Sequence, residues 1–370
     1  MSKSVKNTLP ASTSQSRPVL HIVRRFGCVG GMENYVWNLT HQLSLLGTTV
    51  YVICEECFGD PDPKIRVTKV PKIRAEHRWQ SMLSFRASVN QQIKSTSMFD
   101  SAIIHSHERS INHHVTTIHG PPMTSKHPIL DWMIQNKRVK YWQKMEREEI
   151  LNINVQHVIA VSNLLLRQLK TKHPELSKKT TSVGWPGVNP DKEKNRELKP
   201  DRSFKDKNSP IKCVFVGKEW KRKGLKIAIE AIELLSANYV VTLDVYGPDI
   251  NEVPRKYGRS PHIHFWGWQA EIPWDEYDVL VHPAHAEPFG MVLPEARREG
   301  LAAVVSNNTG SAEMNFADTI IVSSNSSAAI WASKLSTLIE SGVARDQEVQ
   351  WTWSDLADLH LNEIYPKILL

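Results

Sequence analysis

Two carboxylates with seven residues between them, Glu287 and Glu295, bracket a turn that carries Pro288, Phe289, Gly290, Met291 and Val292. An apolar, strand-like run at 277–281 leads in, and a helix-like stretch at 295–299 leads out. Strand, glycine-bearing loop and helix, in that order, aim free backbone N–H groups and the positive end of a helix at an anion. A carboxylate repels a phosphate, so Glu287 and Glu295 suit sugar hydroxyls, from which they accept hydrogen bonds. Amides for a phosphate and acids for a polyol describe a nucleotide-sugar site. The competing reading is a surface turn with two solvated acids. Upstream, Lys218 follows a strand-like run at 213–217, and Lys223-Gly224 comes five residues later. Two cations at a strand end suit a diphosphate leaving group. Lys221 and Arg222 add charge there that solvent alone would satisfy.

These groups need a frame to hold them. A strand at 19–23, the turn Gly30-Gly31-Met32-Glu33 and a helix with Met32, Tyr35, Val36, Leu39, Leu43 and Leu46 on one face precede a strand at 49–53. That βαβ order belongs to a doubly wound parallel sheet. The glycines do not follow G-x-G-x-x-G, which argues against a dinucleotide fingerprint. Further strands are expected at 102–105, 115–118 and 158–161. His119 ends the second of these, and His105-Ser106-His107 ends the first; a strand-end histidine is often structural. After an almost wholly polar stretch at 191–208 the pattern restarts, with strands at 213–217, 241–246, 262–266, 279–282 and 303–306. Gly267-Trp268 ends one of them, and Trp268 is placed either to stack on a base or to fill a core. The fold class is therefore α/β, with two Rossmann-like doubly wound domains facing across a cleft. The domains expected are a disordered tail at 1–17, an N-terminal acceptor-side domain at 18–190, a linker at 191–208 and a nucleotide-sugar domain at 209–350. A last helix at 354–364, within a segment 351–370, folds back on the first half.

The pattern Glu287-Pro288-Phe289-Gly290 with Glu295 resembles the donor motif of the retaining family 4 (group 1) glycosyltransferases, which have the GT-B fold. Gly30-Gly31-x-Glu33, His119, and Lys218 with Lys223-Gly224 stand where that family carries its other landmarks, although Lys218 occupies a position where Arg is usual. The resemblance implies a metal-independent, cofactor-free transfer of a hexose from a nucleotide-diphosphate sugar, a UDP-sugar first, to a hydroxyl of a glycan or lipid-linked acceptor. It implies catalytic roles for His119, Lys218, Lys223 and Glu287. Gly30, Gly31, Lys218, Lys223, Trp268, Glu287, Phe289, Gly290, Met291, Val292 and Glu295 would bind the donor, and Glu33 and His107 would lie on the acceptor side. The stretch at 216–224 is similar to lipopolysaccharide core-oligosaccharide glucosyltransferases, which points to surface-polysaccharide assembly. Two other classes stay open: a GT-B-fold sugar-nucleotide epimerase, and a non-catalytic nucleotide-sugar-binding protein.

Composition bounds the setting. With 41% hydrophobic and 23% charged residues over 370 positions, the chain reads as globular and long enough for two domains. A net charge of +7 and a pI near 9.1 favour anionic partners. Nucleic acid is not expected, because the basic residues are interleaved with acidic ones and no nucleic-acid motif is present. Four cysteines are too few for a disulfide framework, and Cys54-x-x-Cys57 lacks the partners of a zinc site. His105, His107, His113 and His114 suffice for a metal by number alone, but no carboxylate pattern joins them; no metal is expected. A cytoplasmic protein is expected. A Trp-, Lys- and Arg-rich helix at 129–150 has two readings: a peripheral contact with the anionic inner membrane, or an ordinary helix with a core face.

Overall fold

The protein is described by a computed structural model covering residues 17–123, 137–189, 209–342 and 349–370. Residues 1–16 of the expected tail and the expected linker at 191–208 lie outside the described residues, as does the first part of the helix expected at 129–150; Arg17, expected in the tail, is held by the Tyr365 and Ile368 carbonyls at 3.1 and 2.7 Å.

The first half contains β1 (Val19–Ile22), the short β2 (Arg25–Phe26), β3 (Val50–Cys54), the short β4 (Glu56–Cys57), β5 (Arg66–Lys69), β6 (Ile103–Ser106), β7 (Val115–Ile118), β8 (His157–Ala160) and β9 (Thr180–Val183). Seven of them form one parallel sheet in the order β5-β3-β1-β6-β7-β8-β9, and β2 pairs with β4. The second half adds β10 (Ile211–Val216), β11 (Val241–Tyr246), β12 (Ile263–Gly267), β13 (Val279–His282), β14 (Ala302–Ser306) and β15 (Thr319–Val322). Their order is β12-β11-β10-β13-β14-β15, again parallel throughout. In each half the chain reverses direction across the sheet beside its first strand, and a doubly wound sheet opens a crevice at that place, beyond the strand carboxyl ends.

Central strands are covered on both faces and so read as unbroken apolar runs: every residue of β1, β3, β13 and β14 is buried. Edge strands lack that signal. β5 (RVTK) and β9 (TTSV) are partly exposed and mostly polar, so no apolar run announces them. The helix Arg78–Lys94 buries only Met82, Phe85, Arg86 and Val89, a stripe too sparse to stand out among its polar residues.

The C-terminal segment belongs to the first half. Trp353 stands edge-on to Tyr35 at 6.0 Å, Trp351 Nε1 donates to the Trp185 carbonyl at 2.8 Å, and the Tyr365 hydroxyl meets His105 Nδ1 at 2.8 Å. Thr352 caps its helix, Trp353–Leu359, with Asp355 closing the box. In the described part of the Trp-rich helix, Lys137–Leu151, the residues Met145, Glu146, Glu149 and Ile150 are buried while Arg138, Lys140, Lys144 and Arg147 are exposed. Met145 and Ile150 are core, Trp142 is half-buried and Tyr141 is exposed. Among the described residues no helix is long and apolar enough to cross a membrane.

Candidate active site

In the second half, β10 runs into Gly217, whose backbone has φ +155; a side chain there would collide with the Lys223 stem. Lys223 therefore lies across a residue that must be glycine. Gly224, φ +77, caps the helix Leu225–Leu235 and is pressed against the Pro283 carbonyl just past β13. The result is that Lys223 Nζ sits 3.3 Å from Glu287 Oε2. Arg222 Nη1 reaches the same oxygen at 3.2 Å, donates to the Ala286 carbonyl, and is steadied by Glu219 at 2.6 Å. His282 Nε2 lies 3.8 Å from that oxygen as well. Burial, with Lys223 and Arg222 alongside, holds the His282 pKa well below its ordinary 6.5, so the ring is neutral.

The loop after Glu287 is pinned by its carbonyls: Gly310 N donates to the Glu287 oxygen at 3.0 Å, Ser311 N to Phe289 at 2.7 Å, and the Ser311 hydroxyl to Gly290 at 2.9 Å. Among the described residues the amides of Phe289, Gly290 and Met291 have no acceptor. The helix that follows, Val292–Arg298, begins three residues earlier than expected, which puts Glu295 in its first turn. Burial raises the Glu295 pKa while Arg298 and Lys223 pull it down, so the charge of Lys223 is felt by both acids. Lys218 is different: it is exposed and has no ion pair among the described residues. Trp268 is 72% exposed, so of its two readings the core one is excluded.

In the first half, Gly30 and Gly31 open the helix Gly31–Leu45. The Glu33 carboxylate folds back over Gly30 and is held by Arg25, Nε to Oε1 at 2.9 Å. His107 is not on an open surface. It is a buried link between His21, 3.0 Å away, and His119, 3.2 Å away. His105 bonds the Tyr365 and Thr117 hydroxyls at 2.8 Å each. Nitrogens of His21, His105 and His107 lie within 4.8 Å of one another, but these hydrogen bonds already occupy both nitrogens of His105 and of His107. His113 is used by Ser110 and the Glu149 carbonyl, and His114 by the Ile104 amide. His119, just past the end of β7, lines an open cavity as a half-buried ring, with His107 behind it in the same wall; burial pushes the His119 pKa down to about 3. This setting favours the neutral imidazole.

The two halves meet at these strand ends. Ile118 of β7 pairs with Ala160 of β8, which sets His119 beside the start of the next helix, Asn163–Lys172. Ser162, the cap of that helix, donates its hydroxyl to the Pro288 carbonyl at 2.6 Å. Glu313 accepts from Asn163 N at 2.8 Å, Leu164 N at 3.2 Å and Trp185 Nε1 at 2.6 Å. Glu313→Ala removes the acceptor of these three groups and of Asn163 Nδ2, and a fall in unfolding free energy of about 2 kcal/mol or more is expected by urea titration. An unchanged midpoint would show the contact to be incidental.

Arg222 and His282 escape sequence reasoning. Arg222 sits in a run of charge whose default reading is solvation, and His282 ends a buried strand with no motif of its own. The only available signal was their spacing from Lys223 and Glu287.

A family model described as "Glycosyl transferases group 1" matches residues 210–341, and one described as "Glycosyltransferase Family 4" matches residues 29–192. The chain belongs to the family 4 (group 1) glycosyltransferases. The lipopolysaccharide glucosyltransferase WaaG of Escherichia coli K12 is 27% identical over 148 residues, covering 36% of this chain and 40% of WaaG. An uncharacterized 41.2 kDa protein in the cps region of Klebsiella pneumoniae is 28% identical over 141 residues, 37% of this chain and 38% of that one. The alignments thus span about two fifths of those relatives. In fold the likeness is nearly end to end. The crystal structure of WaaG has a TM-score of 0.69 at 18% identity, covering 94% of this chain and 96% of that one. Anabaena HepE in complex with UDP-glucose gives 0.60 at 16%, with 95% and 98% covered. This glycosyltransferase fold is GT-B, two Rossmann-like domains in face-to-face contact.

Proposed function

We propose that the chain moves a hexose, with retention and without a metal, from a nucleotide-diphosphate sugar to a hydroxyl of a glycan or lipid-linked acceptor in lipopolysaccharide or other surface-polysaccharide assembly. The observation that carries this reading is the Lys223–Glu287 pair at the strand ends, followed by unpaired amides in the Phe289–Met291 turn. On donor binding the diphosphate takes over Lys223, and Glu287, released from that cation, accepts from the sugar hydroxyls; Glu295 takes the ribose. As the glycosidic bond breaks, negative charge grows on the leaving diphosphate. Lys223, fixed before the event, stabilises that charge without reorganising. Lys218, exposed at the end of the same strand, joins it when the phosphates arrive. Neutral His119 hydrogen-bonds the transferring sugar. The likeness to HepE, whose structure holds UDP-glucose, favours a UDP-sugar.

One observation favours a second reading. Glu108 and Glu149 line the cavity beside His119, and burial pushes both carboxyls up to about 7, the poise an epimerase needs for acid–base work. Interconversion of a UDP-sugar in the absence of any acceptor would select it.

Thermal melts with UDP-, GDP- and ADP-sugars test the donor assignment. A ligand at about one hundred times its Kd adds about 2.7 kcal/mol to the folded state, so one base should raise the melting point by several degrees. A flat response to all three removes the nucleotide-sugar reading.

A further inference from the structure

The cavity beside His119 continues outward as a second chamber. The inner chamber, about 230 Å³, is walled by Met32, His107, Glu108, Thr117, His119 and Glu149. The outer one, about 770 Å³, is walled by Glu76, Arg78, Trp79, Arg109, Arg138 and Trp142. Arg78, Arg109 and Trp142 line both, so the two are continuous.

The ends differ in chemistry. At the outer end three guanidinium groups face a single carboxylate among the described lining residues. Arg109 is already balanced: it lies 3.6 Å from both Glu146 and Glu149 and 4.8 Å above the Trp142 ring. Arg78 and Arg138 are exposed and have no ion pair among the described residues. At the inner end, Glu146 is taken by Lys172 and His173 at 2.8 Å each. Glu108 Oε1 accepts the Arg24 amide at 3.2 Å, and its Oε2 has no partner among the described residues. Glu149 takes the Thr116 hydroxyl at 3.3 Å. With their pKa values near 7, these two acids either accept from or donate to a hydroxyl at neutral pH.

We propose that this two-chambered hollow seats the acceptor as an anionic sugar, its hydroxyls held by Glu108, Glu149 and His119 and its phosphate or carboxylate held at the mouth by Arg78 and Arg138. Guanidinium forks match either oxyanion bidentately, and the Trp79 and Trp142 rings offer apolar faces to a sugar ring. A polyanion such as nucleic acid is disfavoured, since the acids lining the interior would repel it. The proposal rests on the glycosyl-transfer reading and adds the class of its acceptor.

The test titrates the full chain with glucose 6-phosphate, glucuronate, glucose and inorganic phosphate, read by calorimetry and tryptophan fluorescence, with UDP titrated in parallel. The 6-phosphate, the glucuronate or both should bind about ten-fold or more tightly than glucose and than inorganic phosphate. Arg78→Gln and Arg138→Gln should each weaken that binding by about ten-fold, the worth of a charged hydrogen bond, with UDP affinity unchanged. Glucose binding as tightly as the charged sugars, inorganic phosphate binding as tightly as they do, variants indistinguishable from wild type, or no sugar binding at all beside normal UDP binding would each overturn it. A wild-type chain that fails to bind UDP would instead sink the transfer reading on which the proposal rests.

Discussion

Lys223→Ala is expected to lower kcat for sugar transfer by about two orders of magnitude or more, the cost of one preorganised charged contact at a developing anion. The side chain crosses Gly217 to stand 3.3 Å from Glu287, so its position is set by backbone and not by the ligand. Arg222 and His282 remain beside Glu287 when it is removed, and the fold should survive. Because the lost charge matters most as the bond breaks, kcat should fall more than the donor KM rises. Lys223→Arg keeps the charge but brings a bulkier, planar head into the same passage, so rescue should be partial. Glu287→Ala should cost a similar factor in kcat, and it should also destabilise the loop, since Arg222 and Lys223 then face each other without the acid between them. Steady-state nucleotide release measures both. Turnover within a few-fold of wild type in either variant contradicts the role assigned to the pair.

Acid should unfold this protein well above the pH at which ordinary carboxylates titrate. His21 has its pKa held down to about 3, and His113, His157 and His360 to about 4, all by burial. His105, His107 and His282 lie well below their usual value. For each of these the unfolded chain takes a proton near pH 6.5 that the folded chain refuses. Stability is therefore complete above about 6.5 and is lost as the pH falls towards the folded value, at about 1.4 kcal/mol per unit per ring. Raised carboxyls act the other way. Glu108 and Glu149, with pKa values near 7, gain stability as the pH falls from 7 to their unfolded value near 4.5, and Glu295 shares that sign. The lowered histidines outnumber the raised acids. Between pH 6.5 and 5 each of the four rings held at about 3 or 4 costs about 2 kcal/mol, Glu108 and Glu149 each return about as much, and the net is a loss of several kcal/mol, a large share of a typical total. Urea midpoints measured at pH 7.5, 6.5, 5.5 and 5.0 should drop steeply over the last three. A flat profile would mean that these histidines meet water or a counter-charge in the folded state.

The second half was the more legible one, and the reason is physical. Its central strands 279–282 and 302–306 are buried on both faces and appear as apolar runs with sharp ends. Lys223 and Glu287 could each be singled out because a glycine turn and a strand end mark their places, while the contact between them was not read. Arg222 was not, since a cation in a run of cations carries no sign of which one turns inward. The partners of the histidines were hidden for another reason. His105 and His107, two residues apart at the end of β6, share one face, and both rings are buried where Tyr365, from the far end of the chain, supplies His105 with a partner. A contact spanning 260 residues leaves no local trace. Edge strands β5, β9 and β15 went unread because, half covered, they need no continuous apolar run.

The central claim is that a nucleotide-diphosphate sugar is broken at its anomeric carbon between these two domains. Proton and phosphorus NMR of UDP-hexose, incubated at high enzyme concentration with and without glucose 6-phosphate, follows that bond directly. The account predicts free UDP in both samples, faster with the acceptor, and a product that keeps the donor's anomeric configuration. A donor that stays intact in both samples, or that changes its sugar without releasing UDP, would contradict it.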